Sequence, residues 1–260
     1  MIAALLAIAV VGAPSVFDAT FQRGNSAYES EDYQTAIAAY EQLMAEGVEH
    51  ESLFFNLGNA YFRAGNTGLA IVNYERALRI NPAHTSARQN LDFAVAQTEH
   101  QWARPLPPAW EQSLLMWHYT WSPRAVHFMA VFSWVALWIL LAARLWKPNA
   151  WLSRAAIVAG LAAAAFGASS YAKTFAPPLV VAIEDDVPVR FSIGESQTVN
   201  FELMRGDRLI IDQRANGWVQ VRSADGQRGW TQERALAVVG PPYQRPPDRR
   251  QDARAELPAP

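Results

Sequence analysis

Residues Leu53 to Pro82 read LFFNLGNAYFRAGNTGLAIVNYERALRINP and predict a complete helical hairpin. Apolar side chains recur at intervals of three and four residues on both sides of Gly65-Asn66, a pair of residues that ends helices. Gly58 and Ala70 have almost no side chain, so they let the two helix backbones approach closely. The proline at the end of the stretch stops the second helix. We therefore expect the two helices to bury one apolar stripe against each other.

The same pattern recurs at a spacing of about 34 residues. Moving the stretch back by that spacing places Gly24 on Gly58 and Tyr40 on Tyr74. The small, aromatic and proline positions resemble those of the tetratricopeptide repeat. The resemblance implies an all-α solenoid over residues 20–98, in which a last, unpaired helix covers the end of the apolar stripe. An unrelated helical hairpin is the alternative.

The predicted solenoid offers a binding face. In repeat proteins of this kind, the first helices of successive repeats line a concave surface that binds extended peptides. Carried over by the repeat spacing, this surface would present aromatic and amide side chains with few charges. The predicted partner-binding groove contains Asn25, Tyr28, Glu29, Asn59, Phe62, Arg63 and Gln89. Each of these side chains could instead be an ordinary solvated or packed helix position.

Composition argues against several classes of protein. Of the 260 residues 51% are hydrophobic, the formal charge is −2 and cysteine is absent. The charge argues against a nucleic-acid binder, which carries a clustered basic face, and the missing cysteines exclude disulfides and thiolate zinc sites. The sequence contains no metal-binding histidine spacing, phosphate-cradling loop or nucleophile elbow. We therefore expect no enzyme activity, no cofactor and no metal.

Two apolar segments predict a transmembrane helical hairpin. Residues 125–145 and 153–172 are each long enough to cross a hydrocarbon layer of about 30 Å. Arg144, Lys147 and Arg154 lie at the connection between them. Cationic short loops stay in the cytoplasm, so both flanking regions would be periplasmic in a two-pass protein of the bacterial inner membrane.

The neighbouring segments fit this placement. Residues 1–15 are an apolar run that ends in small residues, as in an export signal; an uncleaved anchor or a buried first helix is the alternative. Residues 99–123 are rich in proline and tryptophan, and we interpret them as a linker on the membrane surface, with a flap packed on the repeats as the alternative. Residues 240–260 are rich in proline and charge and should be disordered.

Residues 179–239 predict a small all-β domain. Five short β-rich runs are separated by hairpin-turn signals such as Asn216-Gly217 and Asp225-Gly226. In order they carry the motifs Val187-Pro-Val-Arg190, Arg205-Gly206-Asp207, Gly217-Trp218-Val219-Gln220-Val221 and Gly229-Trp230. This order resembles bacterial SH3-like domains and implies a small barrel. Trp218 and Trp230 would form its ligand face, with burial in the barrel core as the alternative.

An acidic cluster stands at the entrance to the predicted barrel. It consists of Glu184, Asp185 and Asp186. Three neighbouring carboxylates could bind a cation, but a solvated loop is the simpler interpretation.

The order of signal, repeats, membrane hairpin and SH3-like segment resembles the BatE-type proteins of the bacterial aerotolerance (Bat) group. The resemblance implies a non-enzymatic scaffold in stress tolerance, with von Willebrand A domain membrane proteins as partners and a MoxR-type AAA+ ATPase acting indirectly. A second hypothesis is a cell-envelope sensor or peptidoglycan-binding module that acts through the SH3-like domain.

Overall fold

The computed structural model describes residues 16–105, 109–195 and 197–240. The predicted export signal at 1–15 and residues 241–260 of the predicted disordered tail lie outside the described residues. Within them the chain forms an all-α region, two long apolar helices and a C-terminal antiparallel sheet, in that order.

The described part of the N-terminal region contains five helices. They are α1 (Val16–Glu29), α2 (Tyr33–Ala45), α3 (Glu51–Arg63), α4 (Thr67–Ile80) and α5 (Thr85–Ala96). The boundary between α3 and α4 falls at Gly65, as predicted, where φ is +81° and the left-handed backbone favours glycine. The side chain of Asn66 then begins α4 by accepting a bond from the N–H of Leu69 at 3.2 Å.

Two glycines allow a tyrosine ring to lie against a helix backbone. A Cβ on Gly24 would lie 2.5 Å from Cε1 of Tyr40, and a Cβ on Gly58 would lie 2.7 Å from Cε1 of Tyr74. Both rings are almost completely buried. The same pair therefore fixes the α1–α2 and α3–α4 contacts, at the spacing that the sequence predicted.

The middle of the chain consists of α6 (Ala109–Leu114), α7 (Met116–Thr120), α8 (Pro123–Trp146) and α9 (Ala150–Thr174). α8 and α9 pack against each other as a hairpin. With mean hydropathies of 2.1 and 1.5, both are long and apolar enough to cross a membrane. Only 11% of the residues in the most apolar stretch of each helix are buried, so most of these side chains face outward. Insertion into a membrane stays a prediction.

The linker predicted at 99–123 divides into two parts. Trp121 stacks on Phe166 of α9 with ring centroids 5.7 Å apart, and Nδ1 of His118 lies 2.8 Å from Oγ of Ser169. The second part of the linker thus lies beside the end of α9. Residues 100–104 do not continue this arrangement, because they pack between the repeats and the sheet.

The C-terminal region forms an antiparallel sheet. Its described strands are β1 (Leu179–Ala182), β2 (Val187–Arg190), β3 (Val199–Leu203), β4 (Arg208–Ala215), β5 (Trp218–Arg222), β6 (Arg228–Gln232) and β7 (Leu236–Val238), in the spatial order β3-β2-β6-β5-β4-β1-β7. The turn between β4 and β5 is the predicted Asn216-Gly217 pair, where φ is +49° and +79°. Positive φ at both positions is the conformation of a tight hairpin turn.

The sequence did not predict β3 and β7. Apolar and polar residues alternate along the five residues of β3, so this alternation was a signal that could have found it, whereas β7 is only three residues long. Residues of β1, β2, β3, β4, β5 and β7 point into one buried cluster, so the sheet curls around a single core. The described pairs leave the sheet open, with β3 and β7 at its two edges. A closed SH3-like barrel stays a prediction.

Candidate functional site

A pocket of about 250 Å³ opens between α1, α2 and α3. It contains four of the predicted groove residues, Asn25, Tyr28, Glu29 and Asn59. Its lining consists of Gln22, Asn25, Tyr28, Glu29, Tyr40, Asn56 and Asn59. Amide and hydroxyl groups dominate this set, so the pocket is suited to hydrogen bonding rather than to holding a charge.

The amide of Asn25 is held by two neighbours. Its Oδ1 accepts hydrogen bonds from Oη of Tyr40 at 2.7 Å and from Nδ2 of Asn56 at 3.0 Å. Burial raises the pKa of Tyr40 to about 12, so the hydroxyl keeps its proton at neutral pH and remains a donor. An amide oxygen has two lone pairs, and both are occupied here.

The amide of Asn59 is held in the same way one repeat later. Its Oδ1 accepts bonds from Oη of Tyr74 at 2.9 Å and from Nδ2 of Asn90 at 2.8 Å. Within the described residues, the Nδ2 groups of Asn25 and Asn59 donate no hydrogen bond to the protein. Each of the two asparagines therefore presents the two N–H donors of its amide, fixed in orientation, to a ligand in the groove.

Aromatic side chains extend the groove along α3 and α5. The predicted Phe62 lies 5.6 Å, between ring centroids, from Phe93 of α5, whose side chain is 59% exposed. Phe93 was not among the residues predicted from the sequence, although it stands one repeat length after Asn59. The repeat spacing was therefore the signal that could have found it.

The remaining predicted groove residues lie outside the pocket. The guanidinium of Arg63 lies 5.2 Å from the ring centroid of Tyr33 and 3.9 Å from a carboxylate oxygen of Glu31, at the loop between α1 and α2. The ring of Tyr33 in turn packs edge-on against Tyr28. Arg63 thus supports the rim, whereas Gln89 is exposed on α5 and does not line the pocket.

The structure places Trp218 and Trp230 on the outer face of the sheet. Along β5 and β6 the buried residues are Val219, Val221, Gly229 and Thr231, and both tryptophans alternate with them. Trp230 stands opposite Gln220, and Trp218 stands opposite Gln232. Two half-buried indoles and two amides therefore share the face that points away from the core.

The acidic cluster is part of a loop that an arginine holds. Asp185 accepts a bond from the backbone N–H of Arg205 at 3.1 Å and pairs with its guanidinium at 3.0 Å. Among the described residues there is no group of three or more side chains that could hold a metal ion.

A buried ion pair, which was not predicted from the sequence, joins the sheet to the repeats. Glu75 of α4 is 2% exposed. Its two carboxylate oxygens accept bonds from Nη1 of Arg104 at 3.1 Å and from Nη1 of Arg208 at 3.3 Å. Arg208 also donates from Nη2 to the carbonyl of Trp102 at 2.9 Å. One helix residue thus binds the linker and β4 together.

Apolar contacts extend this junction. Val181 of β1 and Val239, which follows β7, belong to the same buried cluster as Ile71 of α4. Nη2 of Arg76 donates to the carbonyl of Val238 at 2.8 Å. The sheet therefore rests on α4, whereas the pocket lies between α1, α2 and α3 and stays open.

A second polar contact at the junction involves a buried carboxylate. Oδ2 of Asp207 lies 2.7 Å from Nδ1 of His100 and accepts a bond from the N–H of Met204 at 2.8 Å. Oδ1 is buried and has no hydrogen-bond partner among the described residues. Burial raises the pKa of Asp207 above its ordinary value and outweighs the opposing effects of Met204 and His100.

Replacing Asp207 with asparagine is expected to change the pH dependence of stability. Because the folded pKa of Asp207 is raised above its unfolded value of about 3.9, the folded state binds this proton more tightly. The wild type therefore loses stability through this group as the pH rises above about 4, and the variant does not. As the pH is raised from about 4 toward neutral, the thermal unfolding midpoint of Asp207→Asn should rise relative to that of the wild type by on the order of a few degrees.

Thermal unfolding of the full chain in detergent, at constant ionic strength, measures this difference. Asp225→Asn is the matched control, because the Ser223 hydroxyl lowers the pKa of Asp225. The unfolding midpoint of this variant should therefore fall relative to that of the wild type as the pH rises. If the unfolding midpoints of Asp207→Asn and the wild type differ by the same amount at every pH from about 4 to neutral, the raised pKa of Asp207 is contradicted.

The helical region has the features of a repeat protein with an open face. Its glycine, tyrosine and asparagine positions recur one repeat apart, and the fixed amides line a pocket. Residues 52–84 match the tetratricopeptide repeat family. The match covers α3, α4 and their connection, and a repeat of this kind supports a role in protein–protein interaction. No match to the chain was found among curated proteins.

Proposed function

We propose that this chain is a non-enzymatic membrane scaffold whose repeats bind an extended segment of a partner protein. The observation that carries the proposal is the pair of amides at Asn25 and Asn59, each held by a tyrosine and a second asparagine. An extended segment has a regular row of backbone carbonyls, and fixed amide donors can bind them whatever the side chains are. Tyr28 and Phe62 would supply apolar contacts for the partner's side chains.

The proposed topology is two-pass, with the repeats and the sheet on the same side of the membrane. The repeats precede α8 and α9 and the sheet follows them, yet Glu75 and Arg208 meet in a buried contact. Two regions in contact lie on one side, so the chain between them crosses an even number of times. The cations at the α8–α9 connection favour the cytoplasm for that loop and the bacterial periplasm for both domains.

The proposed partners follow from the order of domains along the chain. Repeats, an apolar helical hairpin and a small β domain of SH3-like type support a Bat-type assembly. In it, von Willebrand A domain membrane proteins would be the partners, a MoxR-type ATPase would act indirectly, and the assembly would serve stress tolerance.

The test is recovery of partners from the native membrane. The Tyr28→Ala, Phe62→Ala double variant is expected to recover the partner at least about tenfold less well than the wild type, since aromatic anchors carry a large share of binding energy. The full chain is solubilised in detergent, and co-purifying proteins are identified by mass spectrometry. Gln34→Ala, an exposed polar position on α2, is the control. Undiminished recovery by a folded double variant would contradict the groove.

A second function is favoured by the outer face of the sheet. Trp218 and Trp230 lie on this face rather than in the core, as an indole surface for a ligand requires. The chain would then be a cell-envelope sensor or a peptidoglycan-binding module. Recovery of wall fragments that depends on the two tryptophans, and not on Tyr28 and Phe62, would favour this function over the first.

A further inference from the structure

The two apolar helices enclose a groove with a cation at one end. Its volume is about 520 Å³, and small side chains of α9 form its floor. Residues that line it include Phe132, Ala136, Trp151, Arg154, Ala159 and Ala162. From Trp151 to Ala162 the groove follows α9 for about 16 Å, at about 1.5 Å per residue.

This length matches one leaflet of a bilayer. The hydrocarbon layer is about 30 Å thick, so one leaflet measures about half of that. The groove begins near the α8–α9 connection, where Trp151 and Arg154 lie, and ends toward the middle of the hairpin. An apolar chain of one leaflet could therefore lie along the groove with its headgroup beside Arg154.

Three cations lie where α8 connects to α9, at the end of the groove that Arg154 lines. Arg144 lies in the last turn of α8, Lys147 caps that helix, and Arg154 lies near the start of α9. All three are exposed, and none forms an ion pair or a side-chain hydrogen bond with the described residues. The sequence contains no Asp or Glu from Gln112 to Ile183, so neither the two helices nor their connection supplies a carboxylate that could neutralise them.

We propose that this groove binds an anionic phospholipid, with its phosphate at Arg154 and one acyl chain in the groove. Arg144 and Lys147, at the same end of the helical hairpin, add positive charge without lining the groove. The inference rests on the membrane placement proposed above. Arginine binds phosphate through two parallel hydrogen bonds, and basic pockets between membrane helices on the cytoplasmic side hold anionic headgroups. Charge complementarity therefore selects an anionic lipid over an uncharged partner helix as the occupant.

The experiment is native mass spectrometry of the delipidated full chain in detergent, titrated with phosphatidylglycerol or with phosphatidylcholine of the same acyl chains. The wild type is expected to retain phosphatidylglycerol at least about tenfold better than phosphatidylcholine. Arg154→Gln should abolish this preference, and Arg154→Lys should keep part of it, because lysine retains the charge without the paired donors. Ala159→Phe should reduce retention of the lipid by filling the groove.

Arg124→Gln is the matched control. It removes the same charge from an exposed position at the opposite end of α8, and it should leave lipid retention unchanged. Equal retention of the two lipids, equal loss in Arg124→Gln and Arg154→Gln, or displacement of the lipid by soluble glycerol phosphate would overturn the proposal. A dimer that depends on Ala159 but not on Arg154 would also overturn it, since the groove would then seat a helix.

The outcomes separate this inference from the proposed function. A chain that stays soluble without detergent would contradict the membrane placement itself. A chain that needs detergent, recovers its protein partner and shows no lipid preference would contradict the lipid site alone.

Discussion

Replacing Glu75 with alanine is expected to lower the free energy of unfolding by about 3 kcal/mol, because breaking a buried ion pair leaves an uncompensated charge. Arg208 is only 8% exposed and loses its carboxylate partner at the junction. Arg104 contributes less, because its side chain is 47% exposed and water can solvate it. Thermal unfolding of the full chain in detergent measures the change, and limited proteolysis shows whether the sheet is released first.

Two control variants make the Glu75 result specific. Glu49→Ala removes the same side chain from an ion pair with Arg79 in which the carboxylate is 51% exposed, and it should cost less than about 1 kcal/mol. The double variant Glu75→Met, Arg208→Met should recover much of the loss, since a packed apolar pair can replace a buried ion pair. Equal costs for Glu75→Ala and Glu49→Ala would contradict the role assigned to the junction.

The repeat could be predicted from sequence because its signal is local and recurs. Helix periodicity, the glycine–tyrosine contact and the position of Gly65 all lie within one repeat length. The periodicity and the glycine–tyrosine contact recur in the preceding repeat, whereas the residue equivalent to Gly65 is Glu31, whose φ is also positive at +62°. The groove asparagines followed from the same spacing. Their fixed orientation did not, because it depends on hydrogen bonds from Tyr40 and Tyr74 that cross between helices.

The junction could not be predicted from sequence. Glu75 and Arg208 lie 133 residues apart, and on a helix like α4 a lone glutamate has the pattern of a solvated surface charge. Burial of Glu75 becomes visible only when the sheet is placed on α4. The outer position of the tryptophans was open for a related reason, since alternation along β5 and β6 tells which residues share a face but not which face is buried.

The linker shows how one segment can combine two environments. Its composition predicted a membrane surface, with a flap packed on the repeats as the alternative, and Trp121 packs beside α9. Trp102, in contrast, stacks on His100 and packs against Phe201 of the sheet. Tryptophan enrichment alone does not distinguish an interfacial anchor from a ring that fills a contact between domains, so the boundary within the linker needed the structure.

Replacing Gly58 with valine is expected to lower the free energy of unfolding by about 3 kcal/mol, because the added side chain overpacks the α3–α4 contact. Its Cβ alone would lie 2.7 Å from Cε1 and 2.8 Å from Cδ1 of Tyr74, a ring that is 1% exposed and has no free space. Leaving glycine gains less than about 1 kcal/mol of helix propensity, so the clash outweighs it. The double variant Gly58→Val, Tyr74→Leu should lose less free energy of unfolding than the two single variants lose together, because the ring that clashes with the valine is gone.

The Gly58 variant also tests how the repeat supports the groove. A ring displaced by valine moves Oη of Tyr74 away from Oδ1 of Asn59 and leaves the amide held by Asn90 alone. Partner recovery should then fall although Gly58 does not line the pocket, and it should fall further than in Glu75→Ala, which weakens the junction but leaves this hydrogen bond intact. A Gly58→Val chain that unfolds earlier but recovers its partner as well as the wild type would contradict the support that we assign to Tyr74.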